Sequence, residues 1–272
     1  MRNVVLTFIL ILVLGGGLLS CSEKSDIRGV QSEYSSDETV FRGYLAYDPN
    51  QQGKGPGVLI FHEWWGQNKH VRKRADMLAE LGYTALVADM YGEGKQADTY
   101  DEAAHLASEI SSNPELRQKR FMAALEHLKK NELVDPEKIA AIGYSFGGNI
   151  VLQSALDGLD IDGVVSFYGG FLVKTPADSR AVKARILILH GDKDWYVTPQ
   201  MLTKFRIDMQ KAGITYELKS YKKANHGYTN PEAEVLKETF KGMHLEYNEA
   251  ADKQSWEDMQ KFLQSSMLSN YY

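Results

Sequence analysis

The 272-residue sequence contains a single cysteine, Cys21, so no disulfide can form within the chain and a fold must be held by its core. It also has no basic block. Its 31 Lys and Arg residues are scattered among 36 Asp and Glu, for a formal net charge of -5. No surface therefore tracks a phosphate backbone, and nucleic acid is not an expected partner. Long apolar runs are missing too, since the longest, Val4 to Leu14, is too short to span a bilayer as a helix. No internal repeat or low-complexity tract interrupts the chain, which argues against solenoids and for one ordinary core. Hydrophobic residues at 43% and charged residues at 25% supply the material for that core.

The N-terminus begins with Arg2, continues into the apolar run, and ends on Gly15 to Gly17 and then Leu18-Leu19-Ser20-Cys21. This order reads as an export signal over residues 1–20. Its end resembles a bacterial lipobox, which implies that Cys21 becomes the lipid-bearing first residue of the mature protein. The expectation is an exported protein of the bacterial cell envelope, held at a membrane through Cys21; an ordinary signal peptide cleaved nearby is the alternative. Residues 21–38 are polar and read as a tether, and the folded domain is expected over 39–272.

Within that domain, short apolar runs alternate with segments of helical period. Gly57–Phe61, Thr84–Ala88, Lys138–Ile142, Gly163–Phe167 and Ile186–Leu189 read as strands buried on both faces, with a last strand over Thr215–Tyr221 and antiparallel edge material around Thr39–Tyr47. Helices are expected over Asn68–Leu81, Asp98–Ile110, Pro114–Lys130, Gly147–Leu156, Pro199–Ala212 and Glu249–Leu263. Asn113-Pro114 and Thr198-Pro199 are sound helix starts, because a capping side chain precedes a proline whose missing N–H costs nothing in the first turn. The fold class expected is α/β, a mostly parallel central sheet with helices on both faces.

Three loops carry chemistry. The stretch Gly143-Tyr144-Ser145-Phe146-Gly147-Gly148 lies between an apolar strand and a helical segment. A nucleophile at such a sharp turn needs small neighbours, and Ser145 would stand at a helix N-terminus that favours developing negative charge. Past the strand Ile186–Leu189 come Asp192 and Asp194. Asp194 fits the acid position, separated from Gly191 by two residues and with Val197 three further on, while Asp192 is assigned to tightening the turn. After the last strand, His226-Gly227 supplies a base. The order Ser145, Asp194, His226 is the one used by α/β-hydrolases. The oxyanion donors expected are the N–H groups of Phe146 and Trp64. His62-Glu63 is not a zinc motif, because residue 66 is glycine where a second histidine would be needed, and no metal or organic cofactor is implied.

Together, His62-Glu63-Trp64-Trp65-Gly66, Asp89-Met90-Tyr91-Gly92, the Ser145 turn, the Asp194 loop, His226-Gly227-Tyr228 and Tyr247-Asn248-Glu249-Ala250-Ala251 resemble the dienelactone hydrolase family. The resemblance runs from about Thr39 to the end. It implies that Glu63 contacts the nucleophile and helps set its charge state; the residues alone leave a buried carboxylate held by loop N–H groups as the other reading. The best-known members of that family use cysteine where this chain has Ser145, and serine leans harder on its base. They also hold a substrate carboxylate with arginines, where this chain has Tyr91-Gly92-Glu93 and Asn230.

These departures point away from dienelactone itself and toward other esters. Trp64, Trp65, Tyr91, Phe171, Trp195 and Tyr228 are the candidates to line an apolar pocket. The stretch from Gly92 to Ser112 is either its cover or an ordinary surface connection. The reading is a serine hydrolase that cleaves small, aryl or lactone esters, or acylated glycans, through an acyl-serine intermediate. A peptidase or amidase on the same residues, or a surface lipoprotein that only binds, are the other classes.

Overall fold

The computed structural model describes residues 26–176 and 178–267. The export signal over 1–20 and the lipid position Cys21 lie outside the described residues. An eight-stranded sheet is built from β1 (Arg28–Ser36), β2 (Thr39–Tyr47), β3 (Gly55–Phe61), β4 (Thr84–Ala88), β5 (Val134–Tyr144), β6 (Gly163–Phe167), β7 (Arg185–Gly191) and β8 (Glu217–Tyr221). The helices are α1 (Lys69–Glu80), α2 (Tyr100–Ser111), α3 (Pro114–Lys129), α4 (Phe146–Leu156), α5 (Pro199–Ala212), α6 (Ala233–Thr239) and α7 (Glu249–Met267). Strand order is β1-β2-β4-β3-β5-β6-β7-β8, with the β1–β2 and β2–β4 pairs antiparallel and every other pair parallel, in keeping with the expected mostly parallel α/β sheet.

The continuous apolar strands have a direct reason. On β3, Leu59 and Phe61 face one core while Val58 and Ile60 face the other. Ile139 and Ala141 on β5 alternate in the same way with Ala140 and Ile142. One core takes Phe121 from α3, Ile150 from α4 and Phe205 from α5; the other takes Val71 and Leu78 from α1 and Met259 and Leu263 from α7. A strand covered on both faces meets apolar surface on each side, so its positions are nearly all apolar, with only small hydroxyls such as Thr84 and Ser166 buried among them. Asn113 and Thr198 cap α3 and α5, accepting from Leu116 N–H and Met201 N–H, with proline next in each case.

The domain start needs correction. The segment expected as a tether, 21–38, contains β1, which pairs with β2 along its whole length from Arg28↔Tyr47 to Ser36↔Thr39. As an edge strand it is largely exposed, so its residues are polar and carry little apolar signal. What fixes it is Tyr34, which stacks on Phe41 and on His127 of α3, together with the contact of Ser32 Oγ to His127 Nε2 at 2.7 Å. Helix α6 was also not foreseen, because its seven residues bury little beyond Ala233.

The strand order reverses about β3: the chain first moves outward to β4 and then returns to β5 on the other side. A crevice therefore opens at the carboxyl ends of β3 and β5, where ligands of open parallel sheets bind.

A chain beginning at Thr39 should be about 2 kcal/mol or more less stable than one beginning at Asp26, because it loses the buried Tyr34 ring and exposes Phe41. Urea unfolding of the two, followed by tryptophan fluorescence, measures this; coincident midpoints would return β1 to the role of a tether.

Candidate active site

Ser145 sits between β5 and α4 with φ 53 and ψ -110, a backbone region that β-branched and bulky residues avoid. The turn is this tight because α4 is pressed against the end of β3. Gly147 N–H donates to His62 O at 3.0 Å, and Ser145 N–H donates to Phe167 O at 2.9 Å. A Cβ on Gly143 would run into the Gly147 carbonyl, and one on Gly147 into the Phe61 carbonyl. Both glycines are therefore required by space and not by left-handed φ.

The Ser145 hydroxyl lies 2.7 Å from His226 Nε2, and His226 Nδ1 lies 2.9 Å from Asp194 Oδ2. Asp194 and His226 are 5% and 7% exposed, so the imidazole is held largely out of water. The other Asp194 oxygen accepts from Tyr196 N–H at 3.0 Å, which fixes the carboxylate plane. The loops that carry acid and base are joined directly, since Lys193 N–H donates to Ala224 O at 2.9 Å. Asp192, expected to tighten its own turn, instead accepts from Lys223 N–H at 2.7 Å and so ties its loop to the one after β8. A parallel bridge from His226 to Leu245, and Glu246 N–H donating to His226 O at 3.2 Å, strap the histidine loop from outside.

Trp64 and Phe146 both line the cleft that holds Ser145 and His226, and among the described residues neither backbone N–H has a partner. The cleft is about 380 Å³. Its walls include Tyr100, Leu172, Tyr196, Met201 and Met243, none of which the sequence reading named. Tyr100, Ala107 and Ser111 come from α2, so the Gly92 to Ser112 stretch forms a wall of the cleft. Leu172 is 78% exposed at its mouth. Among the described residues no Lys, Arg, Asp or Glu lines it, and the titratable groups of its described wall are His226 and the Tyr100 and Tyr196 phenols.

The remaining pocket assignments are corrected. Tyr228 is fully buried and packs on Tyr168 and Tyr221 in the core behind the site. Trp65 is buried against Phe240. Phe171 packs between His190 and Phe205. Tyr91 is buried and donates its hydroxyl to Trp64 O at 2.7 Å, so it supports the loop and does not line the cleft. Trp195 is 66% exposed, stacked on His244 outside the cleft wall. Aromatic identity alone does not distinguish core from wall.

Glu63 is also relocated. Its buried carboxylate accepts from the Tyr168 hydroxyl at 3.2 Å and from Asn230 Nδ2 at 3.2 Å, and His70 Nδ1 stands 3.7 Å away. None of its hydrogen bonds goes to Ser145. Tyr168, absent from the sequence reading, has φ 39 and sets its ring edge-on to His226 at 5.2 Å. Burial, followed by the charge of Glu63, pushes the phenol far above its ordinary range, so it stays a neutral donor. The available signal was its place at the end of a parallel strand ahead of Gly169-Gly170. Among the described residues no cluster of His, Cys, Asp and Glu is arranged to hold a metal ion.

The profile of the dienelactone hydrolase family matches residues 41–267. A protein of Aquifex aeolicus (strain VF5) bearing a carboxymethylenebutenolidase designation is 26% identical over 76% of this chain and 89% of its own. Two solved structures superpose closely. One, m3DLH, has a TM-score of 0.82 and 30% identity over 89% of this chain and 99% of its own. The other, a dienelactone hydrolase-like promiscuous phosphotriesterase from metagenomic libraries, has a TM-score of 0.81 and 28% identity over 88% and 98%.

Gly147→Ala should destabilise the domain by about 1–3 kcal/mol, because the new methyl pushes α4 off the Phe61 and His62 carbonyls. Thermal unfolding reads this directly, and an unchanged Tm would mean that the close approach is not required.

Proposed function

This chain belongs to the dienelactone hydrolase family, and we propose that it hydrolyses uncharged carboxylic esters through an acyl-serine intermediate at Ser145. The observation that carries the reading is the continuous line of contacts from Ser145 Oγ to His226 Nε2 and from His226 Nδ1 to Asp194 Oδ2 at the floor of a cleft. Asp194 can only accept, so Nδ1 carries the proton and Nε2 is free to take one from Ser145.

As Oγ bonds to the ester carbonyl carbon, the proton passes to Nε2 and negative charge gathers on the carbonyl oxygen. The free N–H groups of Phe146 and Trp64 supply donors for that charge. Collapse breaks the bond to the alcohol oxygen, which leaves with the proton from Nε2. Water then attacks the acyl-serine with His226 again as base, releasing the acid and restoring Ser145.

The cleft wall supports the substrate class. A carboxylate-bearing lactone would need a cation, and the described wall has no Lys or Arg: apart from the base His226 its polar side chains are Asn149 and hydroxyl groups. Asn230, where related enzymes would carry an arginine, is turned inward onto Glu63. The apolar mouth at Leu172, Tyr100 and Met201 suits an alkyl or aryl group. The sequence of the N-terminus supports an envelope location through a lipid on Cys21.

Ser145→Ala and Asp194→Asn should lower kcat on an aryl ester by at least about a thousandfold, while Asp192→Asn stays near wild type. Equal, folded and inert wild type and Ser145→Ala would remove the esterase reading and favour an amidase or a binding protein. Across a substrate series, a neutral butyrate ester should be preferred over its succinate half-ester by about tenfold or more in kcat/KM. A preference for the charged ester would contradict the uncharged-substrate assignment.

A further inference from the structure

We infer that His62 is a positioning residue that aims the Trp64 N–H at the reacting carbonyl oxygen. The inference rests on the proposed hydrolase reading, because it concerns a donor for the charge that develops on the ester.

The bonds around His62 leave one arrangement. Its Nδ1 lies 2.6 Å from Glu63 O, an atom that can only accept, and Met90 N–H points at its Nε2 from 3.3 Å and can only donate. The ring is therefore the neutral Nδ1–H tautomer. Burial, at 1% exposure, lowers its pKa and keeps it in that form. Gly66 N–H adds a second bond to Glu63 O at 3.1 Å. In a planar trans peptide the carbonyl and the following N–H point in opposite directions. Two donors pulling Glu63 O inward therefore turn Trp64 N–H outward, toward the cleft.

The next peptide is held as well. The Tyr91 hydroxyl donates to Trp64 O at 2.7 Å, and the Tyr91 ring packs edge-on to His62 at 4.9 Å. Main-chain bonding gives the register between the two free N–H groups. His62 O accepts from Gly147 N–H, one residue beyond Phe146. One residue thus ties the Trp64 donor to the Phe146 donor: its carbonyl holds α4, and its ring holds the Glu63–Trp64 peptide. Preorganised donors of this kind act by not having to turn at the moment charge appears.

The test compares His62→Asn, whose amide N–H falls near the position of Nδ1, with His62→Gln, whose amide falls near Nε2, using purified protein checked for folding. The readouts are aryl-ester kinetics and the affinity for phenylboronic acid, which forms a tetrahedral adduct with an activated serine. His62→Gln should lose about 10- to 100-fold in kcat with KM little changed, and its boronic acid affinity should fall in parallel. His62→Asn should recover to within about threefold of wild type in both. A His62→Gln variant with wild-type kcat and boronic acid affinity would overturn the inference. So would a His62→Asn variant as impaired as His62→Gln, since that pattern reports lost packing only. If His62→Gln does not fold, His62→Asn is set against wild type alone, and loss of boronic acid affinity in a folded protein overturns the assignment. Wild type that hydrolyses no ester yet binds the boronic acid removes the esterase reading and leaves His62 measurable by binding; wild type that does neither removes both.

Discussion

The site depends on one close backbone approach, the Gly147 N–H on the His62 carbonyl. It draws the start of α4 against the end of β3, and that contact is possible only because Gly143 and Gly147 present no Cβ to the neighbouring carbonyls. The cost appears at Ser145, forced to φ 53. The return is that groups from two distant parts of the chain come together: the Ser145 hydroxyl with the Phe146 N–H beside it, and the Trp64 N–H from the neighbouring strand end. A looser turn would leave each group present but none aligned, which in such sites costs rate far more than stability.

Behind that contact lies a floor of buried polar groups. Glu63, Tyr168 and Asn230 meet beneath His226, and Tyr168 also contacts Thr229 Oγ1 at 3.0 Å. Arg74 of α1 then reaches Thr229 O at 2.6 Å and Asp252 of α7 at 2.5 Å. Desolvating such groups is costly unless each finds partners, so the network holds helices α1 and α7 to the 226–230 loop in one geometry. The strained Tyr168 backbone belongs to this floor, since it places a neutral donor on Glu63 while its ring supports the imidazole. In this chain the Glu63 carboxylate therefore supports the base loop and does not meet the nucleophile.

Much of the architecture was legible locally. Strands such as Thr84–Ala88 and Gly163–Phe167 were read at their true limits because a doubly covered strand is a near-continuous apolar run. The hairpin that opens the domain was half missed, because an edge strand exposes most of its residues and Tyr34 is the one residue that β1 buries. The pocket was the least legible part. Trp65, Tyr91, Phe171 and Tyr228 are as apolar as the true wall residues Tyr100, Leu172, Met201 and Met243, and composition cannot report which surface an aromatic ring covers.

The sequence by itself determined the α/β alternation, the order serine, acid, histidine, and the two glycines that the Ser145 turn demands, because each follows from periodicity or from backbone space within a few residues. Only the tertiary structure decided which way Glu63 faces, that Tyr168 stands under His226, that α2 walls the cleft, and that the His62 ring fixes the Trp64 peptide. Those facts arise where strand ends and loops separated by tens to well over a hundred residues converge at one sheet edge, and hydrogen-bond direction there is set by neighbours that no local pattern encodes.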